Sequence, residues 1–239
     1  MEICKGLRKN DAMNAATPAP RRGRPPKALA QLTRSTIREA ALQVIDNDGI
    51  AAVSMRSVSR LLGVDAKSLY HHVADKDDLL DAVAEHLLGQ LRPPAPTGDL
   101  RTDLRALAYE FRRVTLAHPE AATLVLTRQM STLAGLTPVD ALLSMLRQGG
   151  ANPEQAVRLT RVLVAAVVGM LLREVSAGPT FGSGDPADIT ARQAELDESA
   201  LPEVVACAPF LARFDRDEEF ASGVDFVVDF VVFQLARLT

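Results

Sequence analysis

The stretch that decides the fold runs from Ser54 to Lys76 and reads SMRSVSRLLGVDAKSLYHHVADK. The helical spacing of its apolar residues predicts two short helices joined by a tight turn at Gly63. Glycine readily adopts the positive φ that ends a helix abruptly. Asp65 has the short acceptor side chain that caps a following helix. The stretch therefore predicts two small helices that meet at a steep angle.

The second of these helices has an unusual surface. Leu69 and Val73 are its expected buried anchors. Around them the exposed positions are Ala66, Lys67, Ser68, Tyr70, His71 and His72. This surface is small and polar at its start and then aromatic and hydrogen-bonding, which suits a helix end placed in the major groove of DNA.

The run LGVDAKSLYHHV (62–73), followed by DKDDLL (75–80), resembles the DNA-binding domain of the TetR family of bacterial regulators. The resemblance extends from about Leu32 to Leu91, and a looser similarity to a tetracycline-repressor-like C-terminal domain covers most of the remaining chain. It implies an all-α protein with an N-terminal three-helix helix-turn-helix domain and a C-terminal helical domain for ligand binding and dimerisation. The absence of Trp, the two Tyr residues and the 47% hydrophobic content also favour an all-helical protein.

The resemblance implies which residues contact DNA. They are Ser54, Arg56, Ala66, Lys67, Ser68, Tyr70, His71, His72 and Lys76. Tyr70 and Lys76 would mainly position the protein on phosphates, whereas Arg56 would specify sequence at a guanine edge. Met55, Ala66, Lys67 and His71 depart from the tetracycline-repressor pattern, so a different operator is expected.

Residues 1–31 form a basic segment without apolar periodicity, which predicts a disordered arm. Within it, RRGRPPK (21–27) resembles an AT-hook, whose Arg22 and Arg24 would enter a narrow minor groove. The alternative is an arm that contacts phosphates without reading sequence. The net charge of -3 also divides unevenly, because residues 1–92 carry 14 Lys and Arg against 11 Asp and Glu, and residues 93–239 carry 13 against 19. This distribution favours DNA as the partner of the N-terminal part.

The Pro-rich segment 93–98 predicts a boundary between a domain at 32–92 and a second domain at 99–239. Thr33 or Thr36 is expected to cap the first helix, with Glu39 completing a capping box after Thr36. Similar boxes are expected at Thr137–Asp140 and Asn152–Gln155. Residues 177–200, rich in Gly, Pro and Asp, are expected to form a loop.

Two C-terminal helices carry more apolar surface than one buried face needs. The first spans about 157–176 and the second about 218–238. A helix that is apolar on every side must be covered, and a second copy of the chain would cover both. The resemblance implies such a homodimer, built as a four-helix interface. The alternative is that both are core helices of a monomer.

A ligand pocket in the C-terminal domain is expected to be apolar with few polar anchors. The candidate lining residues are Leu107, Phe111, Met130, Met145, Met170 and Arg173. In the tetracycline repressor, two residues hold tetracycline and one binds magnesium, and they correspond here to Arg92, Leu107 and Val125. None of these could do the same work, so no tetracycline–magnesium chelate is expected to bind in that manner.

The sequence contains no phosphate-binding loop, His-Glu-x-x-His motif or paired-Cys zinc spacing, so neither a cofactor nor a metal is expected. Cys4 and Cys207 are expected to be free thiols in a reducing cytoplasm, and no membrane span is expected. The resemblance implies a homodimeric repressor that a small-molecule effector releases from a pseudo-palindromic operator in double-stranded DNA. The alternatives are an activator, a regulator without a ligand, or an enzyme with a vestigial DNA-binding domain.

Overall fold

The computed structural model describes residues 32–128, 136–177 and 181–237. Within these ranges the protein contains eleven α-helices and no β-strand, so the all-α prediction is confirmed. The expected basic arm with Arg22 and Arg24, and the pocket candidate Met130, lie outside the described residues.

The helices follow one another with short connections. They are α1 (Arg34–Asp48), α2 (Met55–Leu62), α3 (Ala66–Leu69), α4 (Lys76–Leu88), α5 (Leu100–Leu116), α6 (Ala122–Thr127), α7 (Thr137–Gln148), α8 (Pro153–Leu172), α9 (Pro186–Asp197), α10 (Pro202–Leu211) and α11 (Arg216–Ala236). Beyond Leu172, α8 continues into one π-helical turn, Arg173–Ala177.

The first helix begins at Thr33. The Thr33 side chain accepts a hydrogen bond from the Thr36 backbone N–H, and the Thr36 hydroxyl accepts one from the Thr33 N–H. The capping box is therefore completed by Thr36, and the expected role of Glu39 is wrong. Glu39 lies one turn further on, where its carboxylate accepts a hydrogen bond from Ser35 at 2.9 Å.

Helices α1 to α4 enclose a small apolar core. Its fully buried members include Ile37, Ile45, Val58, Leu69 and Leu79. Helix α4 also contacts helices outside this core. It packs against α1 and, in addition, against α6 and α5. Seven of its thirteen residues are buried. It therefore connects the first helices to the rest of the chain through continuous packing.

The larger core lies between α5, α7, α8 and α11. Leu146, Leu171, Val224 and Val231 are fully buried within it. Ion pairs join α5 to α11 at its surface, between Arg101 and Asp229 and between Arg105 and Asp225. A third pair, from Arg112 to Glu174 at 2.6 Å, ties α5 to the π-helical turn.

Two sequence-based expectations about this part are wrong. Residues 177–200 contain helix α9, which Asp185 caps by accepting hydrogen bonds from the N–H groups of Ala187 and Asp188. The second is the capping box at Thr137, because α7 begins after Leu136 without a side-chain cap. The box at Asn152 is confirmed, since Asn152 and Gln155 exchange hydrogen bonds of 3.0 and 2.8 Å.

Helix α8 is long and apolar. Among the described residues, the segment Pro153–Val175 is long and apolar enough to cross a membrane, and its most apolar 18-residue window has a mean hydropathy of 1.7, with 33% of that window buried inside the fold. Length and composition of this kind also occur in core helices of globular proteins. Val157, Val162 and Val164 of this helix are exposed. An apolar surface of this kind is usually buried against another part of the protein or a partner.

Candidate nucleic-acid interface and internal cavity

The two helices α2 and α3 meet at the turn that the sequence predicts. Ser54 caps α2 by accepting a hydrogen bond from the Ser57 N–H at 3.0 Å. Gly63 ends the helix with φ 70° and ψ 29°, in the left-handed region. The N–H of Val64 then bonds to the Ser59 carbonyl at 3.0 Å, which closes the turn.

Helix α3 is short. Asp65 caps it by accepting a hydrogen bond from the Lys67 N–H at 2.7 Å, and the chain leaves the helix after Leu69 into a turn over Tyr70 to His72. Leu69 and Val73 are buried, as predicted. We call helix α3 and the turn after it (66–72) the recognition element. Leu69 and Val73 anchor it in the core.

The predicted DNA contacts lie on or beside this element. Exposed among them are Ser54, Arg56, Lys67, Tyr70, His71 and Lys76, and partly exposed are Ala66, Ser68 and His72. Tyr70 is the most notable, with 56% of its surface exposed although it follows a fully buried residue. The Ser54 hydroxyl also serves the α2 cap, so it is shared between structure and surface.

The basic side chains of this surface are available for phosphates. Within the described ranges, Arg56, Lys67 and Lys76 form no ion pair with an acidic side chain. Exposed cations without acidic partners, on and beside a helix-turn-helix, are typical of a surface that binds the DNA backbone. The local surface is therefore suited to contact a DNA backbone.

The turn over Tyr70 to His72, the recognition turn, is held by a clamp of Arg34 and Asp78 that sequence reasoning missed. Arg34 donates hydrogen bonds to the His72 carbonyl at 3.4 Å and to the Asp78 carboxylate at 2.5 Å. The other carboxylate oxygen of Asp78 accepts a hydrogen bond from the Ala74 N–H at 2.8 Å. The backbone hydrogen bond from Ala74, and next the guanidinium of Arg34, lower the pKa of the Asp78 carboxyl below its usual value. The end of the recognition turn is thus fixed to both α1 and α4.

A cavity of about 210 Å³ lies among helices α4 to α8 and opens to the outside beside the exposed residue Val164. Its lining residues are Leu88, Leu91, Leu104, Leu107, Ala108, Phe111, Val125, Leu126, Arg128, Pro138, Val139, Leu142, Leu163, Val164, Val167 and Val168. All of them are apolar except Arg128. At about 30 Å³ per water molecule, the cavity has room for about seven waters, or for a compact apolar ligand.

The pocket candidates do not come together in one place. Leu107 and Phe111 line the cavity. Met145 is buried in the core outside its lining. Met170 and Arg173 instead line a separate depression beside α11, together with Glu174, Phe214 and Phe220. Sequence reasoning missed Leu88, Leu91 and Arg128, because which side of an apolar helix faces a void depends on tertiary packing.

The positions that correspond to tetracycline and magnesium ligands offer no such ligands here. Leu107 and Val125 contribute hydrocarbon to the cavity. Arg92 is absent from the described lining and donates a hydrogen bond to the Gly89 carbonyl at 2.7 Å. In the described part of the chain, no group of three or more His, Cys, Asp or Glu residues is placed to hold a metal ion.

Two family models match this chain. The N-terminal one, described as bacterial regulatory proteins of the tetR family, matches residues 37–83. The C-terminal one, described as the tetracyclin repressor-like C-terminal domain, matches residues 92–231. The first match covers the recognition element, and the second covers all of the cavity lining except Leu88 and Leu91.

Individual relatives give the same picture. An HTH-type transcriptional regulator from Saccharopolyspora erythraea is 31% identical over 198 residues, which are 79% of this chain and 82% of the relative. The class A tetracycline repressor protein from transposon 1721 of Escherichia coli is 27% identical over 210 residues, or 84% and 91% of the two chains.

A solved structure shows the same fold. The TetR family protein ActR of Streptomyces coelicolor, in complex with actinorhodin, superposes with a TM-score of 0.76 at 26% identity, covering 86% of this chain and 99% of ActR. The same protein in complex with (S)-DNPA gives a TM-score of 0.75. With both family models matched in order along one chain, and a relative aligned over most of its length, the protein belongs to the TetR family of bacterial DNA-binding transcriptional regulators.

Proposed function

We propose that the protein is a homodimeric repressor that binds a pseudo-palindromic operator and leaves it when a small effector enters the cavity. The observation that carries this proposal is the position of α4. Leu88, at its end, and Leu91 just beyond line the cavity, and Asp78, in its first turn, holds the recognition turn. A ligand that moves α4 would therefore change the DNA-reading surface. Effector and DNA would weaken each other's binding by the same factor.

The assignment of DNA contacts is part of this proposal. Ser54, Arg56 and Lys76 would contact DNA around the recognition element, and Ala66, Lys67, Ser68, Tyr70, His71 and His72 would do so from it. Arg56 would read a base edge, whereas Lys76 and Tyr70 would fix the register on phosphates. Exposure of the basic residues without acidic partners supports these roles.

Exposed apolar stripes on α8 and α11 support the dimer. Phe226, Phe230 and Phe233 follow one another at helical spacing on α11 and are all exposed, Phe226 by 77%. On α8, Val157 and Val162 are exposed as well. The opposite faces of both helices are buried in the core of the same chain. A second copy that packs α8 and α11 against the same helices would cover the stripes and form a four-helix interface.

The two-fold axis of such a dimer would present two recognition elements to DNA. Half-sites about 34–36 Å apart would place both elements in successive major grooves on one side of the duplex. A pseudo-palindromic operator follows from that symmetry. A monomer whose α8 and α11 are ordinary core helices would instead leave three phenylalanines in water.

Other parts of the proposal rest on the sequence. The boundary between the DNA-binding domain (32–92) and the ligand-binding domain (99–239) lies at the Pro-rich segment. The arm at 1–31 would add minor-groove or phosphate contacts through Arg22 and Arg24. A cytoplasmic location and the lack of enzymatic activity are supported by the regulatory nature of the relatives.

A small-molecule effector is supported by the ActR complexes and by the cavity itself. The apolar lining at Leu107 and Val125 supports an effector other than a tetracycline–magnesium chelate bound through those positions. The second candidate is an activator or a regulator that works without a ligand. It would keep its operator affinity whatever occupied the cavity.

The test begins with selection of bound sequences from a random DNA library by the full-length protein. Fluorescence anisotropy then measures the affinity for the selected duplex against salt and random competitor. Binding of one or two dimers that resists competitor, and that Tyr70→Ala weakens, is the expected result. Enrichment of no sequence, or equal binding by Tyr70→Ala, would contradict the proposal.

A further inference from the structure

We propose that the effector carries an acidic group, and that this group acts by drawing Arg128 away from Asp77 and Asp81 of α4. The inference rests on the proposed function, since it names the chemistry of the same cavity and the contact through which occupancy reaches the DNA-binding surface. It depends on the position of Arg128, whose side chain lines the cavity and also forms ion pairs with α4.

Arg128 is the single charged residue among the described residues that line the cavity. A carboxylate that enters such an apolar space loses its hydration, which costs several kcal/mol unless a partner replaces the water. The guanidinium supplies that partner, because its planar fork matches a carboxylate with two parallel hydrogen bonds. The cavity therefore favours a ligand with an apolar body and one anionic end.

Arg128 already has partners in the structure. Its Nη1 atom donates to the Asp77 carbonyl at 3.1 Å and forms an ion pair with the Asp81 carboxylate. Its Nη2 atom donates to the Asp77 carboxylate at 2.8 Å. The hydrogen bond that the guanidinium donates to the Asp77 carboxylate is the main cause that raises the pKa of Arg128, so Arg128 stays charged. A ligand acid must therefore compete with two carboxylates.

The competition favours the ligand for a physical reason. The Asp77 side chain is 82% exposed and the Asp81 side chain 33%, so both carboxylates recover water when they are released. The pair with Asp77 is exposed and contributes at most about 1 kcal/mol, because water screens it. The pair with Asp81 is part-buried and is the stronger competitor. A pair formed against the apolar lining is screened less than the Asp77 pair, so the exchange first replaces that weak contact on α4.

The released contact lies next to the clamp of the recognition turn. Asp77 and Asp81 flank Asp78 in the first turns of α4, and Asp78 holds the Ala74 N–H and Arg34. With Arg128 in place, the C-terminal end of α6 fixes this part of α4 against the larger core. Loss of Arg128 leaves two neighbouring carboxylates unpaired on α4. Occupancy of the cavity thus reaches the recognition turn through the first turns of α4, which carry both sets of polar contacts.

The test uses the full-length protein and three acids, each with its own primary amide as a neutral match: phenylacetate, naphthalene-1-acetate and octanoate. Dissociation constants are measured by titration calorimetry for wild type and for Arg128→Met, Arg128→Lys and Asp81→Asn. Arg192→Met is the control, because Arg192 lies on α9 and pairs with Glu195 outside the cavity lining. Circular dichroism checks that each variant is folded, and anisotropy on the selected duplex is recorded in parallel.

At least one acid is expected to bind wild type ten times more tightly than its amide and to release the DNA. Arg128→Met removes the preference, Arg128→Lys keeps part of it, and Arg192→Met leaves it unchanged. Asp81→Asn removes a competitor, so it tightens acid binding several-fold without affecting the amide, which a purely structural role of Asp81 would not do.

Acids that bind no better than their amides, a preference that survives Arg128→Met, or weaker acid binding by Asp81→Asn would each overturn the inference. Specific DNA binding with no acid preference would refute this inference and support the regulator. Acid preference without any selected DNA sequence would refute the regulator and support the acid site.

Discussion

Arg34 at the start of α1 donates a hydrogen bond to Asp78 in the first turn of α4, and the same guanidinium reaches the carbonyl of His72. Residues that are 44 positions apart thereby hold the end of the recognition turn from outside. Neither side chain is among the expected DNA contacts. We therefore expect this pair to position the recognition turn and not to contact base pairs itself.

Arg34→Ala is expected to weaken specific DNA binding about fivefold, because a partly exposed charged contact contributes about 1 kcal/mol. The free energy of unfolding should fall by less than about 1 kcal/mol. Anisotropy on the selected duplex and urea denaturation measure the two effects. Gln43→Ala, at an exposed position of the same helix, is the control and should change neither. Equal DNA affinity for Arg34→Ala and wild type would contradict the clamp.

Lys76 and Arg56 should differ in the kind of affinity that they provide. Lys76→Ala is expected to weaken binding to all DNA sequences alike and to reduce the slope of log affinity against log salt by about 1, since one phosphate contact is lost. Arg56→Ala should cost about 1–3 kcal/mol on the selected duplex and relax preference at one base pair. Competition between the selected duplex and single-base variants separates the two. The same loss of base preference in both variants would argue against these roles.

The exposed phenylalanines of α11 predict the assembly state. Phe226→Asp combined with Phe230→Asp is expected to convert dimers to monomers, because charges would be buried between two copies without partners. Sedimentation velocity measures this at micromolar concentration. Leu61→Asp is the control, since Leu61 is an exposed apolar residue on α2 away from both stripes. A doubly substituted chain that still sediments as a dimer would place the interface elsewhere.

Gly63 should be sensitive for a conformational reason only. Its φ is 70°, and an added Cβ would meet no atom within 4 Å. Gly63→Ala is therefore expected to destabilise the protein by about 1–2 kcal/mol through backbone strain in the left-handed region. Gly63→Asn should cost less, because asparagine adopts this conformation more readily. Urea denaturation compares the two, and an equal cost would indicate crowding instead of strain.

Glu110 gives the stability a defined pH dependence. Hydrogen bonds from the Arg113 guanidinium at 2.6 and 2.8 Å, and next one from the Arg92 N–H, lower the pKa of its carboxyl from 4.5 to about 2. A lowered pKa stabilises the folded state above pH 4.5, and this contribution is lost as the pH falls towards 2. The difference in unfolding free energy between wild type and Glu110→Gln should therefore shrink below pH 4.5.

Urea denaturation between about pH 3 and 7 measures that difference. In an Arg113→Met background the main partner is gone, so the Glu110→Gln substitution should show a much weaker pH dependence. A difference that stays constant over the whole range in the wild-type background would show that the Glu110 carboxyl keeps an ordinary pKa when folded.

Local signals in the sequence were sufficient for much of the fold. The turn at Gly63, the caps at Asp65 and Asn152, and the buried anchors Leu69 and Val73 all depend on neighbouring residues, and the structure confirms them. Helix α9 was not predicted, because none of its side chains is buried and its sequence therefore has no apolar periodicity. The pair Asp185 and Pro186 still contained a helix-start signal, which the Gly- and Pro-rich surroundings concealed.

Non-local features were beyond sequence reasoning. Leu107 and Met145 have similar apolar surroundings in the sequence, yet one lines the cavity and the other fills the core. The partners of Arg128 lie 47 and 51 positions away, and those of Arg34 lie 38 and 44 away. No local pattern encodes such pairings, because they arise only when separate helices pack together.

Seven of the thirteen residues of α4 are buried, so unwinding a turn would expose apolar side chains and a rigid shift of the whole helix would cost less. Its 13 residues make a rod about 20 Å long. A tilt of about 10° around one end would carry the other end by about 3 Å, which is comparable with the length of a hydrogen bond. In the proposed mechanism the helix would act as a lever arm, so that a displacement of well under 1 Å close to the pivot would shift the recognition turn at the far end by several times as much.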